Sequence, residues 1–241
     1  MQQIMGKMRA AMDQYRMLQE GDRLAVGVSG GKDSLVLLCA LAQLKDYYPY
    51  SFQLTAITAD PCFGGRETDF SRVEILCQSL GIPYLLRRTN LGTVIFEDRK
   101  EKNPCSLCAR MRRGILHNMT REAGCNKLAL GHHFDDAVQT FFMNLLYGGR
   151  LGCFSPISYL SRKELHLIRP MIFCEEKEIA SAARRHDLPV VKSRCPADGI
   201  TCRKQTEDLL SRLEKEFPDL KQKAMGSMQR AGLDGWGKSE T

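Results

Sequence analysis

The sequence predicts an α/β protein, a parallel sheet with helices on both faces, flanked by an N-terminal helix and a C-terminal helical tail. Two observations carry that prediction. Short apolar runs bounded by turn residues alternate with segments of helical length and period along most of the chain, the pattern of strands joined by crossover helices. The 241 residues are 43% hydrophobic, enough to bury the core of one large domain, or of one domain with a small appendage.

The elements follow in order. "MQQIMGKMRAAMDQYRMLQEG" sets Ile4, Met8, Ala11, Met12 and Tyr15 at helical spacing. "RLAVGVS", over 23–29, is an apolar run ending in Ser-Gly-Gly and suits a buried parallel strand. Residues 33–44 have helical length and apolar positions throughout. "FQLTAITAD" (52–60) reads as a second strand, and "RETDFSRVEILCQSLG" as a helix closed by Gly81. "IPYLLRR" (82–88) is a third strand, "SLCARMRRGILHNMTREAG" a helix and "KLALG" (127–131) a short strand. "DDAVQTFFMNLLYGG" is a helix ended by glycines, "LHLIRPM" (165–171) a last strand, and "EEKEIASAARRHDL" another helix. Two helices, "RKQTEDLLSRLEKEF" and "DLKQKAMGSMQRA", meet at Pro218, and the final "GLDGWGKSET" reads as loose.

Net charge is +7, unevenly spread: residues 99–121 hold seven Lys and Arg against the single acid Glu101. Such a run is either a solvated helix face or a contact for a polyanion such as RNA. Ten cysteines is a high count for this length. The N-terminus is a mixed amphipathic stretch rather than a basic, then apolar, cleavable leader, and no apolar run approaches the roughly 18–20 residues of a membrane span. The expectation is a cytoplasmic protein with no membrane association, its cysteines serving as thiols, metal ligands or redox groups.

In a doubly wound sheet, ligands sit beyond the carboxyl ends of the strands, where helix N-termini point positive charge outward. "SGGKDS", over 29–34, occupies that place. Gly30 and Gly31 let backbone N–H groups approach phosphate oxygens; Lys32 adds a point charge, and Ser29 and Ser34 add hydroxyls. The spacing is neither GxxxxGK[ST] nor GxGxxG. The hexapeptide resembles the PP-loop of the N-type ATP pyrophosphatases, which share the adenine nucleotide α-hydrolase, Rossmann-like fold. That resemblance implies cleavage of ATP between its α and β phosphates, so that a carbonyl-type oxygen is adenylated and then displaced with AMP. It implies that Ser29, Gly30, Gly31, Lys32, Asp33 and Ser34 bind ATP, and His132, in the GHHFDD stretch, is a further candidate for the ATP-binding set.

"PCSLCARMRRG" (104–114) places Cys105 and Cys108 three residues apart at the start of the basic helix. A C-x-x-C alone reads as a redox pair, half of a zinc site or part of an iron–sulfur site. Together, "CSLCARMRRGIL", "LALGHHFDDAVQTFFMNLLYGG" and "LIRPMIFCEEKEI" resemble the tRNA 2-thiocytidine synthetase family, whose members act on cytidine at position 32 of tRNA; the likeness runs from about residue 23 to the C-terminal helices. It implies a 4Fe-4S cluster held by the C-x-x-C and one distal cysteine, with one iron left free of protein ligands. The near ligands are then Cys105 and Cys108, and the distal one Cys195 in "KSRCPADG", ahead of its competitor Cys202. Sulfur would arrive as hydrosulfide on the open iron or as a cysteine persulfide. Cys62, Cys39, Cys77, Cys125, Cys153 and Cys174 read as incidental or core thiols.

"GHHFDD" (131–136) ends a strand and starts a helix. Asp135 and Asp136 are candidates, with Asp33, for holding Mg²⁺ on ATP; adjacent residues on a helix do not face one partner, so one of the pair can serve only as an N-terminal carboxylate. His132 and His133 either line the nucleotide site or are structural. Arg110, Arg112 and Arg113 are candidates for RNA contact beside a base presented unstacked, and Arg184, Arg185, Lys192 and Arg194 form a second basic cluster. The resulting organisation is an N-terminal helix over 1–22, a PP-loop catalytic domain over 23–188 and a C-terminal helical segment over 189–241 carrying the distal cysteine. The expected activity is ATP- and Mg²⁺-dependent tRNA sulfurtransfer. Expected partners are tRNA, a sulfur donor (a cysteine desulfurase or sulfide) and, as a homodimer, a second copy. The rivals are a 2-thiouridine or lysidine type of PP-loop enzyme, and a non-catalytic RNA-binding redox sensor.

Overall fold

The computed structural model describes residues 1–99, 104–196 and 202–237. Six strands form one sheet: β1 (Asp22–Gly27), β2 (Phe52–Asp60), β3 (Tyr84–Arg88), β4 (Lys127–Ala129), β5 (Ile157–Leu160) and β6 (Leu165–Ile168). Their order is β3-β2-β1-β4-β6-β5. All neighbours run parallel except β5, which pairs antiparallel with β6, Ile157 opposite Ile168. The helices are α1 (Gln2–Gln14), α2 (Lys32–Leu44), α3 (Ser71–Ser79), the single turn α4 (Leu91–Thr93), α5 (Pro104–Glu122), α6 (Phe134–Gly148), α7 (Glu176–Arg185), α8 (Cys202–Glu216) and α9 (Leu220–Arg230).

The two faces of the sheet are covered unequally. On one, α2 is buried along nearly its whole length, from Ser34 to Leu41, which is why its sequence is apolar all round. It joins Leu24 and Val26 of β1, Met8 and Met12 of α1 and Ile179 of α7 in the main core. On the other face, α5 alone lays Ile115, Leu116 and Met119 over Ala25, Ile57, Leu128 and Leu167. Among the described residues one helix covers that face, and Arg110, Arg113 and Arg121 on its outer side are exposed.

Three expectations change. Strand β5 was not foreseen: it is a four-residue edge strand with Tyr159 exposed, too short and too half-buried for a clear alternation. The last parallel strand stops at Ile168 rather than 171, because Pro170 has no N–H to continue a ladder. The C-terminal residues to 237 are docked, not loose. Trp236 is fully buried, its Nε1 donates to the Phe154 carbonyl at 2.7 Å, and Tyr15 Oη donates to the Trp236 carbonyl at 3.0 Å. Residues 238–241 lie outside the described residues.

Candidate nucleotide and thiolate site

β1 has β2 on one side and β4 on the other, so the order of the sheet reverses between β1 and β4. A crevice at the carboxyl ends of those strands is the topological consequence. It holds a cavity of about 250 Å³ lined by Gly27 at the end of β1 and Ser29 after it, Ala59 at the end of β2, His132 after β4, Asp33 of α2 and Arg112 of α5.

The Ser29–Ser34 turn closes on itself. Ser29 N–H donates to Ser34 Oγ at 3.1 Å, Ser34 Oγ donates to the Gly31 carbonyl at 2.9 Å, and Gly31 N–H donates to Ser29 Oγ at 3.3 Å. Gly31 is the N-cap of α2 and no side chain caps the helix, so its first N–H groups are available to an anion. Gly30 has φ +83°, and a Cβ there would meet Val191 Cβ at 2.9 Å and Phe70 Cε1 at 3.1 Å; only glycine fits. Lys32 Nζ lies 3.0 Å from both Asp33 Oδ1 and Glu176 Oε1. Burial works against its charge, but Asp33 and then Glu176 outweigh it, and the pKa stands above the ordinary lysine value.

The two aspartates after His133 diverge. Asp135 accepts from the Glu176 N–H at 2.8 Å and from Lys221 Nζ at 3.1 Å, which ties α6 to α7 and α9. Asp136 caps α6 through the His133 N–H at 3.1 Å and pairs with Arg203 at the start of α8. Burial tends to raise the Asp136 pKa, yet His133, Arg203 and His132 bring it below the usual carboxylate value. His133 is buried as the N-cap of α6, while His132 lines the cavity. Asp33 is thus the one sequence-predicted carboxylate that lines this cavity, with Asp136 linked to it through His133, whose Nε2 is 3.9 Å from Asp33 and 3.4 Å from Asp136.

A second chamber of about 220 Å³ adjoins the first and shares Ser29, Ala59 and Arg112 with it; its remaining walls include Phe63, Phe70 and Lys192. The segment 190–195 is strapped to the turn by Val191 N–H donating to the Gly30 carbonyl at 2.9 Å, and Arg194 donates to the Glu67 carbonyl at 3.2 Å. The strap ends at Cys195, whose charge acts on Cys108 of α5. The buried Cys108 thiol is raised first by burial, lowered by Arg112, and raised again by the neighbouring thiols Cys195 and Cys105. Cys105 is exposed and Cys195 partly buried, while Cys202 opens α8 next to Arg203 on the Asp136 side.

Among the described residues no three ligating groups are arranged around one ion. A cluster asks for something different, since each cysteine sulfur binds its own iron; Cys105 and Cys195 both act electrostatically on Cys108, and three cysteine sulfurs are the donor type such a cluster takes. Cys39, Cys77, Cys125 and Cys174 are buried, and burial pushes Cys39 and Cys77 to about 11 and Cys174 to about 12. They are core thiols; the partly buried Cys153 is likewise pushed to about 12.

Arg110 and Arg113 are exposed on α5, whereas Arg112 points between the two chambers. Sequence reasoning missed Glu176, Arg203, Lys221 and Arg169. Their partners in the site, Lys32 and Asp135 for Glu176, Asp136 for Arg203, Asp135 for Lys221 and the Ser155 carbonyl and Phe154 ring for Arg169, come from other elements, so no local pattern marks them.

Residues 2–198 match the family model described as a PP-loop domain. The tRNA-cytidine(32) 2-sulfurtransferase of Syntrophotalea carbinolica is 37% identical over 221 residues, covering 90% of this chain and 85% of that one. That of Geobacter sulfurreducens is 38% identical over 227 residues, covering 92% and 87%. Among solved structures, the U34-tRNA thiolase NcsA from Methanococcus maripaludis, with its 4Fe-4S cluster, aligns with a TM-score of 0.77 at 28% identity, over 94% of this chain and 77% of that one. The NMN synthetase of Francisella tularensis aligns with a TM-score of 0.55 at 12% identity, over 100% and 97%, and shares the fold alone. On the PP-loop turn, the reversal of strand order behind it and these matches, the chain belongs to the PP-loop domain family and, within it, to the tRNA-cytidine(32) 2-sulfurtransferases.

Proposed function

We propose that this protein is an ATP- and Mg²⁺-dependent tRNA sulfurtransferase that replaces the C2 oxygen of a cytidine, at position 32, with sulfur. One observation carries the reading: the nucleotide crevice and the second chamber share a wall, with Arg112, one helical turn along α5 from Cys108, facing both. ATP binds in the first chamber with its β and γ phosphates on the uncapped amides of the first turn of α2 and beside the hydroxyls of Ser29 and Ser34 and the Lys32 ammonium, with Gly30 letting the chain approach. Asp33 takes Mg²⁺, with Asp136 behind it; Asp135 serves this site by fixing α6, α7 and α9.

The unstacked base enters the second chamber between Phe63 and Phe70. Its C2 oxygen bonds to the α-phosphorus as the α–β phosphoanhydride breaks and pyrophosphate leaves. Arg112, at the junction, neutralises charge on the α-phosphate. Sulfur then bonds to C2, the C2–O bond breaks, and AMP departs with the original oxygen. Cys105, Cys108 and Cys195 would hold the 4Fe-4S cluster, which supplies iron coordination that keeps the incoming sulfur deprotonated at neutral pH. Neutral His132 packs beside the nucleotide, where it adds no charge. The partners are tRNA and a sulfur donor, a cysteine desulfurase or sulfide, in the cytoplasm. A homodimer is compatible with this site, all of whose residues come from one chain.

The test is anaerobic turnover of the iron-loaded protein with tRNA transcript, Mg-ATP and sulfide, followed by nucleoside mass spectrometry. The expected result is 2-thiocytidine with AMP and pyrophosphate in equal amounts, and none from a transcript carrying U32. The likeness to a U34-tRNA thiolase favours a second reading, 2-thiouridine formation, and the same digest separates the two. Absence of any thiolated nucleoside would overturn both.

A further inference from the structure

The outer side of α5 carries more than the arginines nearest the thiols. Arg110, Arg113, His117 and Arg121 follow at intervals of three, four and four residues and so share one face of the helix. That strip is roughly 17 Å long at 1.5 Å per residue. Its far end is extended by the tip of the β5–β6 hairpin: Arg121 Nη1 donates to the Lys163 carbonyl at 2.8 Å, and Lys163 Nζ donates to Asn118 Oδ1 at 3.0 Å. Arg162, beside Lys163, is exposed.

Charge on the strip is only partly balanced. Arg121 pairs with Glu164 at 3.1 Å, but His117, between Arg113 and Lys163, is held below the usual imidazole pKa by burial first and then by those two cations. Arg113 also acts on the buried Arg169, which in turn acts on His132. None of the large apolar side chains exposed among the described residues lies on α5, so the strip lacks the apolar centre of a protein–protein interface.

We propose that the strip of Arg110, Arg113 and Arg121, continued by Arg162 and Lys163, seats the sugar–phosphate backbone of the RNA stem adjoining the reacting base. This rests on the reading that the substrate is tRNA. A duplex carries a charge about every 1.7 Å of axis, so 17 Å presents about ten phosphates. Roughly half face any one side, and the three arginines of α5, with Arg162 and Lys163 just beyond its far end, meet that row. The strip starts beside Arg112, so a stem lying on it points its loop into the base chamber.

The test uses Arg162→Gln/Lys163→Gln, at the end of the strip far from the reacting centre, in the full-length protein. Its melting temperature, compared with the parent, checks the fold. Fluorescence anisotropy with a labelled anticodon stem-loop is read over a salt series, with Arg184→Gln/Arg185→Gln on α7 as the comparison. The expected hairpin variant binds at least 10-fold more weakly at physiological salt. Its slope of log affinity against log salt falls by about 1.8, two phosphate contacts at about 0.9 each. An unchanged slope in the hairpin variant, or loss confined to the α7 variant, overturns the proposed track while leaving the tRNA reading intact. Failure of the unmodified protein to bind the stem-loop or whole tRNA at low salt would overturn the tRNA reading itself.

Discussion

His132 stands against the ring of Phe154, with centroids 5.0 Å apart, and the Arg169 guanidinium lies over the same ring at 5.0 Å. Burial, and after it Arg169, push the imidazole pKa down to about 4. It is therefore neutral at physiological pH and cannot serve as a general acid there. The unfolded chain takes up a proton at this residue near pH 6.5 while the folded protein does not. Acid therefore favours unfolding: stability is intact above pH 6.5 and is lost as the pH falls from there toward 4. At pH 5 the loss from this group is up to about 2 kcal/mol. Urea unfolding at pH 7 and pH 5 should show a smaller drop for His132→Gln than for the parent, and an equal drop would mean that the ring is not held neutral. Arg169 poses the opposite problem. It is 8% exposed, donates from Nη1 to the Ser155 carbonyl at 2.5 Å, and has no carboxylate partner among the described residues. Burial lowers its pKa to about 10, which leaves it charged and facing the same ring as His132.

At the scale of elements, the two segments that shape the site are not regular structure. One is the 190–195 strap hydrogen-bonded to Gly30. The other is the C-terminal hook, in which Asp234 Oδ2 accepts from the Cys153 N–H at 2.7 Å while Trp236 holds the Phe154 carbonyl. Phe154 in turn backs His132, so the hook reaches the crevice through one ring. Trp236→Ala should cost about 3–5 kcal/mol from lost burial alone. Trp236→Phe keeps most of the apolar contact but strands the Phe154 carbonyl, at about 1–3 kcal/mol. Chemical denaturation of both variants, with ATP affinity measured alongside, checks this; weakened ATP binding in Trp236→Phe is the mark of a positioning role, and ATP affinity unchanged in both would confine the hook to stability. This hook is where the sequence was least legible. The parallel strands, α2, α5 and α6 announce themselves by period and by glycine punctuation, because each buries a regular face. "GLDGW" has no period, and its anchors on Tyr15, Cys153 and Phe154 are 81 residues or more away. The divergence of Asp135 from Asp136 was foreseeable from helix geometry; their separate partners, Lys221 and Arg203, were not.

Across the whole molecule, the phosphate turn and the thiols belong to different packing units. Val28, Leu35 and Val36 around the turn sit in the main core, whereas Cys108 belongs to a small satellite with Leu91 and Ile95, packed against Phe63, Phe96 and Met111. The strap, Arg112 and the shared wall of Ser29 and Ala59 link them. Because each packs in its own unit, iron loading and ATP handling should separate by mutation even though both are needed for turnover. Cys108→Ala is expected to lose iron and thiolation together while binding ATP within about 2-fold of the parent, because the core under the turn is untouched. Lys32→Ala is expected to keep its iron and to lose about 100- to 1,000-fold in pyrophosphate release, the usual effect of removing one charge-stabilising contact. Iron content, ATP affinity and pyrophosphate release measured on both variants check the separation. Loss of iron from Lys32→Ala, at an unchanged melting temperature, would show that the strap couples the two units into one, with the turn's occupancy setting where Cys195 stands.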